Sequence, residues 1–512
     1  MSAETPRAAY GAELRHDRTE LAASLAGASA RPFWLDGPVT PREPALTGDI
    51  ETDLLVVGGG FCGLWTALQA KEREPARDVV LIEARRIAWA ASGRNGGFLE
   101  ASLTHGEENG ERHFADELAE IEVLAEENFR EIRETLERYG IDAEYEDDGV
   151  LTVATEPHQV DALREAAAAG SGTGPGSVGA GSAEAGADAA GAAGVADAAS
   201  EPASDAVFLE GDALAAYIDS PAARAGLFQS AGEALVHPAK LARGLKEACL
   251  ALGVRIYEST PATGLKPSRT DAAVIVSTPA GSIRARRVAL ATNGFPSLLK
   301  RTELLTIPVY DYVLVTEPLT TEQLASIGWT GRHGITDSSR QFHYYRKTAD
   351  DRILWGGYDA VYHRGGRIRR EYDQRPETFE RLADHFFTTF PQLRGTRFTH
   401  AWGGMIDMST RFVAFQGVAL GGRVAYSAGY TGLGVGATRF GAAVMLDLLA
   451  GETTARTRLK FATAKPFPIP PEPIAYPAIT VVRGEIARSD ANGGRDGVLL
   501  RAMELFGIGF DS

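Results

Sequence analysis

"DLLVVGGGFCGLWTALQA", residues 53–70, decides the fold of this chain. Leu54 to Val57 make an apolar strand-like run, three glycines follow, and an amphipathic stretch runs from Phe61 to Lys71. Gly58, Gly60 and Gly63 have the spacing G-x-G-x-x-G, and a second strand-like run, "DVVLIEA", reaches Glu83 twenty residues beyond Gly63. Each part has a mechanical task in holding a dinucleotide. Gly58 permits a tight turn, Gly60 lets the backbone approach a pyrophosphate, and Gly63 lets helix and strand pack closely. The helix start, with Phe61 and Cys62, offers free N–H groups and positive potential. Glu83, followed by Ala84 and Arg85, can accept from ribose hydroxyls. The glycines alone would be weak grounds; with both strands, the helix and the acidic end in register, they predict a dinucleotide site.

Which dinucleotide turns on "ASGRNGGF", residues 91–98, because an NAD-binding unit would begin a crossover helix there. The run "DLLVVGGGFCGLWTALQA … VVLIEARRIAWAASGRNGGF" resembles the FAD-binding start of the D-amino-acid oxidase and glycine oxidase superfamily of flavoproteins. Within it, the S-G-R-N-G-G form is most similar to γ-glutamylputrescine oxidase-like proteins. The resemblance implies an α/β (α+β) chain, with a Rossmann-like FAD-binding domain and an interleaved antiparallel-sheet substrate domain. It also implies that Ser92, Gly93, Arg94, Asn95 and Gly96 wrap the pyrophosphate and approach the flavin, with Arg85 or Arg86 near the adenosine end. Backbone N–H groups beside a guanidinium suit an anion-bearing cofactor.

Three later segments match the family in order. "VHPAKLARGLKEACLALGVRIYESTPATGL" resembles the part that brings the Ala262 backbone to the adenine edge. "RRVALATNGF" resembles the strand returning to the cofactor, which places Ala291, Thr292 and Gly294 close to it. "AYSAGYTGLGVGATRFGAAVMLDLL", residues 425–449, resembles the closing motif, where Gly429, Tyr430, Thr431, Gly432, Leu433 and Gly434 aim a helix N-terminus at the ring. Relatives often have histidine where Leu433 stands, and "DMSTRFVAFQG" lacks a proline common in the family. These departures leave the substrate and electron acceptor open. Neither cysteine lies in the late segment that carries a covalent link in some relatives, so non-covalent FAD is expected.

The resemblance implies hydride transfer from the carbon next to an amine to flavin N5, an imine that hydrolyses, and reoxidation by O2. A dehydrogenase with another acceptor and a non-catalytic flavin-fold binding protein are the alternatives. Such chemistry needs a neutral amine, an oriented C–H bond and excluded water, and the cofactor carries the hard step. No general base is therefore demanded, and His237, His343, His363 and His400 are read as structural. The strand-rich segment 304–360, including "VYDYV" and "HYYRKTADDRILWGGY", resembles the family's substrate domain. Alternate side chains on one face of such a sheet would roof the flavin, making Tyr310, Tyr312, Tyr344, Arg346, Trp355 and Tyr358 pocket candidates. Core packing is the competing reading for each. Arg346 could clamp a substrate carboxylate or pair with Asp350 or Asp351.

The whole chain agrees with a small-molecule enzyme. Its 512 residues exceed one ordinary core, and 44% hydrophobic content belongs to a folded protein. A formal net charge of -16 argues against nucleic acid or an anionic membrane as partner. Cys62 and Cys249 are the two cysteines, without metal or disulfide spacing, so no metal site is expected and a reducing, cytoplasmic setting is. No unbroken apolar run is long enough to span a bilayer. We expect a tail at 1–48 that can dock but has no fold of its own, FAD-binding parts at 49–110, 206–300 and 401–455, substrate parts at 111–165 and 301–400, and a C-terminal extension at 456–512. Residues 166–205, almost all Ala, Gly, Ser, Asp and Glu, are expected to be a disordered insertion. Phe114, Leu118, Ile121, Ala125, Phe129, Ile132 and Leu136 predict one long amphipathic helix over 113–139, closed by Gly140.

Overall fold

The computed structural model describes residues 8–11, 13–37, 41–169 and 206–505. Two sheets organise them. In the first, Ile50–Val57 is central, with Val79–Ile82 parallel on one side and Gly281–Leu290 parallel on the other. Arg255–Tyr257 extends the sheet beyond Val79–Ile82, Val424–Ala428 extends it beyond Gly281–Leu290, and Phe415–Ala419 closes that edge antiparallel. Leu54 to Val57 and Val79 to Ile82 are buried without interruption, the pattern of parallel strands covered on both faces. The helices Pro238–Ala251 and Gly434–Ala450 both pack against the helix Phe61–Arg73. A Cβ at Gly63 would lie 1.9 Å from the Gly58 carbonyl oxygen, so helix and turn meet this closely only with glycine there.

The second sheet runs from Val361–Tyr362 through Ile307–Thr316, Ile353–Gly357, His343–Lys347, Gly334–Asp337, Val150–Ala154 and Ala225–Gln229 to Val207–Leu209. Phe398–Met408 pairs with the other side of Ile307–Thr316. Every pairing is antiparallel except Gly334–Asp337 with Val150–Ala154. Phe379, Leu382, Phe386 and Phe387 of the helix Pro376–Thr389 cover one face and form its core with Tyr312, Tyr345 and Trp355. The opposite face is turned to the first domain. A Rossmann-like domain interleaved with a mainly antiparallel sheet is therefore the architecture, as the motifs predict.

Three segments differ from expectation. The N-terminal tail is structured: Asp17 caps the helix Arg18–Leu25, Leu21 is fully buried in the second core, and Trp34 lies between the domains. Two or three well-placed apolar side chains are enough to dock a segment whose composition shows no period. The helix Pro157–Ala169 carries regular structure four residues into the expected insertion, held by Leu163 and Val160 against the sheet; residues 170–205 lie outside the described residues. The single helix expected over 113–139 is broken into Glu107–Phe114, a short 3-10 turn, and Leu118–Tyr139. Gly140 ends it as expected, in the left-handed conformation with φ of 61° and its N–H donating to the last turn.

Candidate functional site

Two helix starts converge on the presumptive cofactor cradle. The helix Phe61–Arg73 has Gly60 as its N-cap and receives no side chain from that residue, and the helix Gly434–Ala450 is likewise uncapped at Leu433. Uncapped first-turn amides present partial positive charge to an anion or to a group gaining electrons. Ser92 Oγ reaches across to accept from the Phe61 N–H at 2.9 Å, and the same hydroxyl sits 2.9 Å from where a Gly60 Cβ would be. The approach at Gly58 is closer still: φ is 116° and a Cβ would lie 2.3 Å from the Ala291 carbonyl oxygen. Glu83 ends its strand with Oε2 accepting from Gly59 N–H at 2.7 Å, and Oε1 from Arg85 N–H and Trp89 Nε1–H, both at 2.8 Å. A carboxylate has about four acceptor positions, so one remains for a ribose hydroxyl. Ala84 and Arg85 continue from Glu83, and the Arg85 guanidinium stacks over Trp89 at 4.3 Å. Ala262 is half-buried at the edge of the first-domain core, while Thr292 and Gly294 follow Ala291 at the end of its strand.

This donor set fits FAD: amides and a serine hydroxyl at one helix start, an acid with spare acceptor capacity beside it, and a second bare helix start where the ring would lie. Cys62 joins the two ends. The Tyr430 hydroxyl donates to Cys62 Sγ at 3.2 Å and lies 2.6 Å from Ser427 Oγ. Burial pushes the Cys62 thiol up to about 12, so it is a packing residue.

The closing turn is braced by groups that sequence reasoning missed. Asp407, at the end of Phe398–Met408, accepts from the Gly429 and Tyr430 N–H groups, and the Asp407 carbonyl accepts from Thr431 N–H at 3.1 Å. Burial raises the Asp407 carboxyl to about 7. His105, arriving from a different part of the chain, has Nε2 2.7 Å from the Thr431 carbonyl oxygen. That oxygen can only accept, so the ring carries its proton on Nε2. Burial lowers His105 to about 4, which keeps the imidazole neutral. Thus the turn around Leu433 does touch a histidine, though not one within the turn.

Arg94 is placed differently from the expected pyrophosphate contact. Its Nη1 donates to Asp373 Oδ2 at 2.7 Å and to the Gly403 carbonyl at 2.8 Å, and its Nε donates to the Trp89 carbonyl at 3.0 Å. An acid within reach outcompetes an open role, and the guanidinium ties the cofactor loop to the substrate domain. Gly93 is buried against Ala88 O, and Asn95 holds the loop shape by donating to the Ala91 carbonyl and accepting from Gly97 N–H, both at 2.9 Å. Gly96 brings the loop against the roof, since a Cβ there would lie 2.6 Å from Tyr344 Cε2.

Strand register sorts the six pocket candidates. Tyr344 pairs with Gly356 and Asp311 with Gly404, so these four share the face turned to Arg94, Gly96 and Phe98. Tyr310, Tyr312 and Trp355 have the opposite phase and are 1%, 0% and 0% exposed in the core beneath the helix Pro376–Thr389. They are core residues. Tyr358 stacks on His343 at 5.3 Å, beside a buried chain in which His343 Nδ1 meets Asp337 at 2.7 Å and Nε2 meets His385 at 3.0 Å. Arg346 has the roof's phase but is 1% exposed: Nη1 donates to the Val236 carbonyl at 2.7 Å, Nη2 faces Glu146 at 3.5 Å, and the guanidinium lies over Trp34. Neither Asp350 nor Asp351 is its partner, and its guanidinium is already engaged by protein acceptors.

Tyr344 remains, and it leads to Asp311. The Tyr344 hydroxyl donates to Asp311 Oδ2. Both side chains are half-buried on the roof face, and burial lifts Asp311 to about 6. An acid set between two tyrosines in an otherwise apolar strand, "VYDYVLV", was the signal in the sequence.

These features define a two-domain oxidoreductase fold with a Rossmann-like dinucleotide-binding domain. The family described as FAD dependent oxidoreductase (DAO) matches residues 53–448, and the chain belongs to that family. It is 29% identical over 415 residues to the gamma-glutamylputrescine oxidoreductase of Escherichia coli K12, covering 80% of this chain and 85% of that protein. The glycine oxidase of Bacillus cereus has the same fold at a TM-score of 0.58 and 18% identity, over 81% of this chain and 99% of that one. The L-proline dehydrogenase of P. horikoshii gives 0.59 and 16%, over 80% and 96%. Among the described residues no helix is long and apolar enough to cross a membrane.

Proposed function

We propose that this chain is an amine oxidase that holds FAD non-covalently at Gly58 to Gly63, Glu83, Ser92 to Gly96, Ala291 and the Gly429–Gly434 turn. Bound FAD supplies the hydride acceptor for the C–H bond beside the substrate nitrogen, leaving an imine that water hydrolyses, and hands the electrons to O2. Asp311 meets the incoming ammonium and takes its proton, so that the nitrogen reacts with a free lone pair; Tyr344 orients the carboxylate for that task. Gly96 and Gly404 let the cofactor loop pack directly against this wall, since a Cβ at Gly96 would meet Tyr344 at 2.6 Å and one at Gly404 would meet Arg94 at 3.4 Å. The Phe98 ring, against that of Tyr344, excludes water beside it. The observation that carries the reading is the Asp311–Tyr344 pair on the face turned to the cofactor loop, with Arg346, the guanidinium on that face, already held by the Val236 carbonyl. The name of the Escherichia coli relative, an oxidoreductase of an amine, supports the same substrate class.

Anaerobic mixing of the purified holoprotein with a panel of alkylamines and amino acids tests the reading. Bleaching of the flavin band by amines, and its absence with amino acids alone, is expected. One hydrogen peroxide per amine consumed in air identifies O2 as acceptor; turnover only with an added dye or quinone would make the protein a dehydrogenase. Acid precipitation should leave all flavin in the supernatant.

A further inference from the structure

The short ribbon of Phe98–Glu100 with Glu233–Leu235 sets Glu100 directly opposite Glu233. Opposite residues of an antiparallel pair point to one face with Cβ atoms about 4.5–5.5 Å apart, and like charges in that position repel. Among the described residues no basic side chain acts on either carboxyl, so the pair sheds its repulsion by holding protons. Glu233 is 7% exposed, and its Oε2 has no hydrogen-bond partner. Such a buried, unsatisfied acceptor is costly unless something else pairs with it. Burial lifts Glu100 to about 7, and burial together with the Glu100 charge holds Glu233 well above the ordinary range.

The pair lies on the same wall as the roof acid. Phe98 and Glu100 are two residues apart on one strand, so they share a face at a separation of about 6.6 Å. The Phe98 ring meets the Tyr344 ring at 5.8 Å, and Tyr344 reaches Asp311. Along this wall the order is therefore acid, two aromatic rings, and a pair of acids. Glu100 is half-buried and Glu233 buried. An alkyl chain suits the rings and a cation suits each end.

We infer that Glu100 and Glu233 form a subsite for a second ammonium of the substrate, so that the preferred substrate is an α,ω-diamine or a longer polyamine. This rests on the amine-oxidase reading above. The distal ammonium gives Glu233 Oε2 its missing partner and supplies the positive charge that lets the acid pair ionise, while Asp311 serves the other nitrogen.

The test compares 1,8-diaminooctane, long enough to pass both rings, its N-acetyl derivative and 1-aminooctane as substrates of the holoenzyme, with KM measured for each. The N-acetyl compound keeps the length and removes the second charge. Losing a hydrogen bond between charged groups should raise KM by roughly 10- to 100-fold for the two monocations. Glu233→Gln should raise KM for 1,8-diaminooctane by a similar factor and leave 1-aminooctane unchanged, and Glu100→Gln should act in the same direction. Equal KM values for the three amines in the unmodified enzyme overturn the inference even if the variants fail to fold, as does a Glu233→Gln effect of equal size on all three. If no amine bleaches the flavin, the amine-oxidase reading falls and takes the subsite with it; bleaching without discrimination removes the subsite alone.

Discussion

Replacing Gly60 and Gly58 in turn separates binding of the cofactor from stability of the fold. At Gly60 the backbone has φ of -84° and ψ of -176°, which any residue adopts, and an added Cβ meets only Ser92 Oγ, at 2.9 Å. Gly60→Ala should gain about 0.4–1 kcal/mol by restricting the unfolded chain. It should lose about 0.5–1.5 kcal/mol from the disturbed Ser92–Phe61 hydrogen bond. The apoprotein should consequently stay within about 1 kcal/mol of wild type. On the proposed placement of FAD the methyl group nevertheless stands where the diphosphate approaches the backbone, and loss of one hydrogen bond to a charged group costs about 1.5–3 kcal/mol, roughly 10- to 150-fold in FAD affinity. Gly58 presents the opposite case. Its φ of 116° is strained for alanine, and the 2.3 Å contact is with a backbone oxygen that cannot rotate away. Strain of about 1–3 kcal/mol and overpacking of about 1–3 kcal/mol should both fall on the fold. Urea unfolding of the apoproteins and titration with FAD followed by flavin fluorescence measure the two effects separately. A Gly60→Ala protein that binds FAD as tightly as wild type, or unfolds as readily as Gly58→Ala, refutes the placement of the diphosphate.

The buried carboxyls give a pH dependence with a definite sign. Asp407, at about 7, is held above its unfolded value of roughly 4, so the folded state binds more protons between those limits and its stability falls as pH rises through them. The stability advantage of wild type over Asp407→Asn should therefore shrink from about pH 4 to about pH 7 in unfolding experiments, and a gap independent of pH would contradict it. Tyr344→Phe should retain full flavin content while kcat/KM for amines drops about tenfold or more, because Asp311 loses a charge-assisted donor. The acid limb of that variant's pH profile should move upward, as the carboxylate is less favoured; an unshifted limb rules out the assigned role. Cys62 and Cys249 are buried free thiols, both pushed upward by burial, so neither should be alkylated by iodoacetamide at neutral pH until the chain unfolds, as mass spectrometry of the native and urea-treated protein will show.

The first domain was legible because its contacts leave one choice of residue. Backbone meets backbone at Gly58 and Gly63, and that constraint prints itself on the sequence as glycine at fixed spacing. The roof was less legible for an equally physical reason. Alternation tells which residues of one strand share a face, but not which face looks at the cofactor; Tyr344 and Trp355 belong to opposite faces only because of the register between their strands. Large aromatics therefore attracted the sequence reading, and three of them proved to be core. Asp311 stood in plain view between Tyr310 and Tyr312. A carboxylate in an apolar strand needs a partner or a task, and this one has Tyr344. The Glu100–Glu233 pair could not be seen at all, since only folding brings those two segments opposite one another.

The chain solves two charge problems on the two sides of the junction by different means. On the proposed placement of FAD the loop offers the diphosphate no free guanidinium, since Arg94 is held by Asp373 and by the Gly403 and Trp89 carbonyls, and helix amides and Ser92 would meet the anion. Toward the substrate it offers acids and aromatic rings. The arrangement requires the loop and roof to keep a fixed spacing, since an acid displaced by even 1 Å would no longer orient the nitrogen. The indole N–H groups of Trp34 and Trp402 supply that spacing by donating to the Asn95 and Arg94 carbonyls at 2.8 Å and 3.0 Å. The docked N-terminal segment thus carries one of the two clamps on the cofactor loop. Its contribution is to hold the roof at working distance from a ring bound by the other domain, which explains why a segment without a period of its own contains so deeply buried a tryptophan.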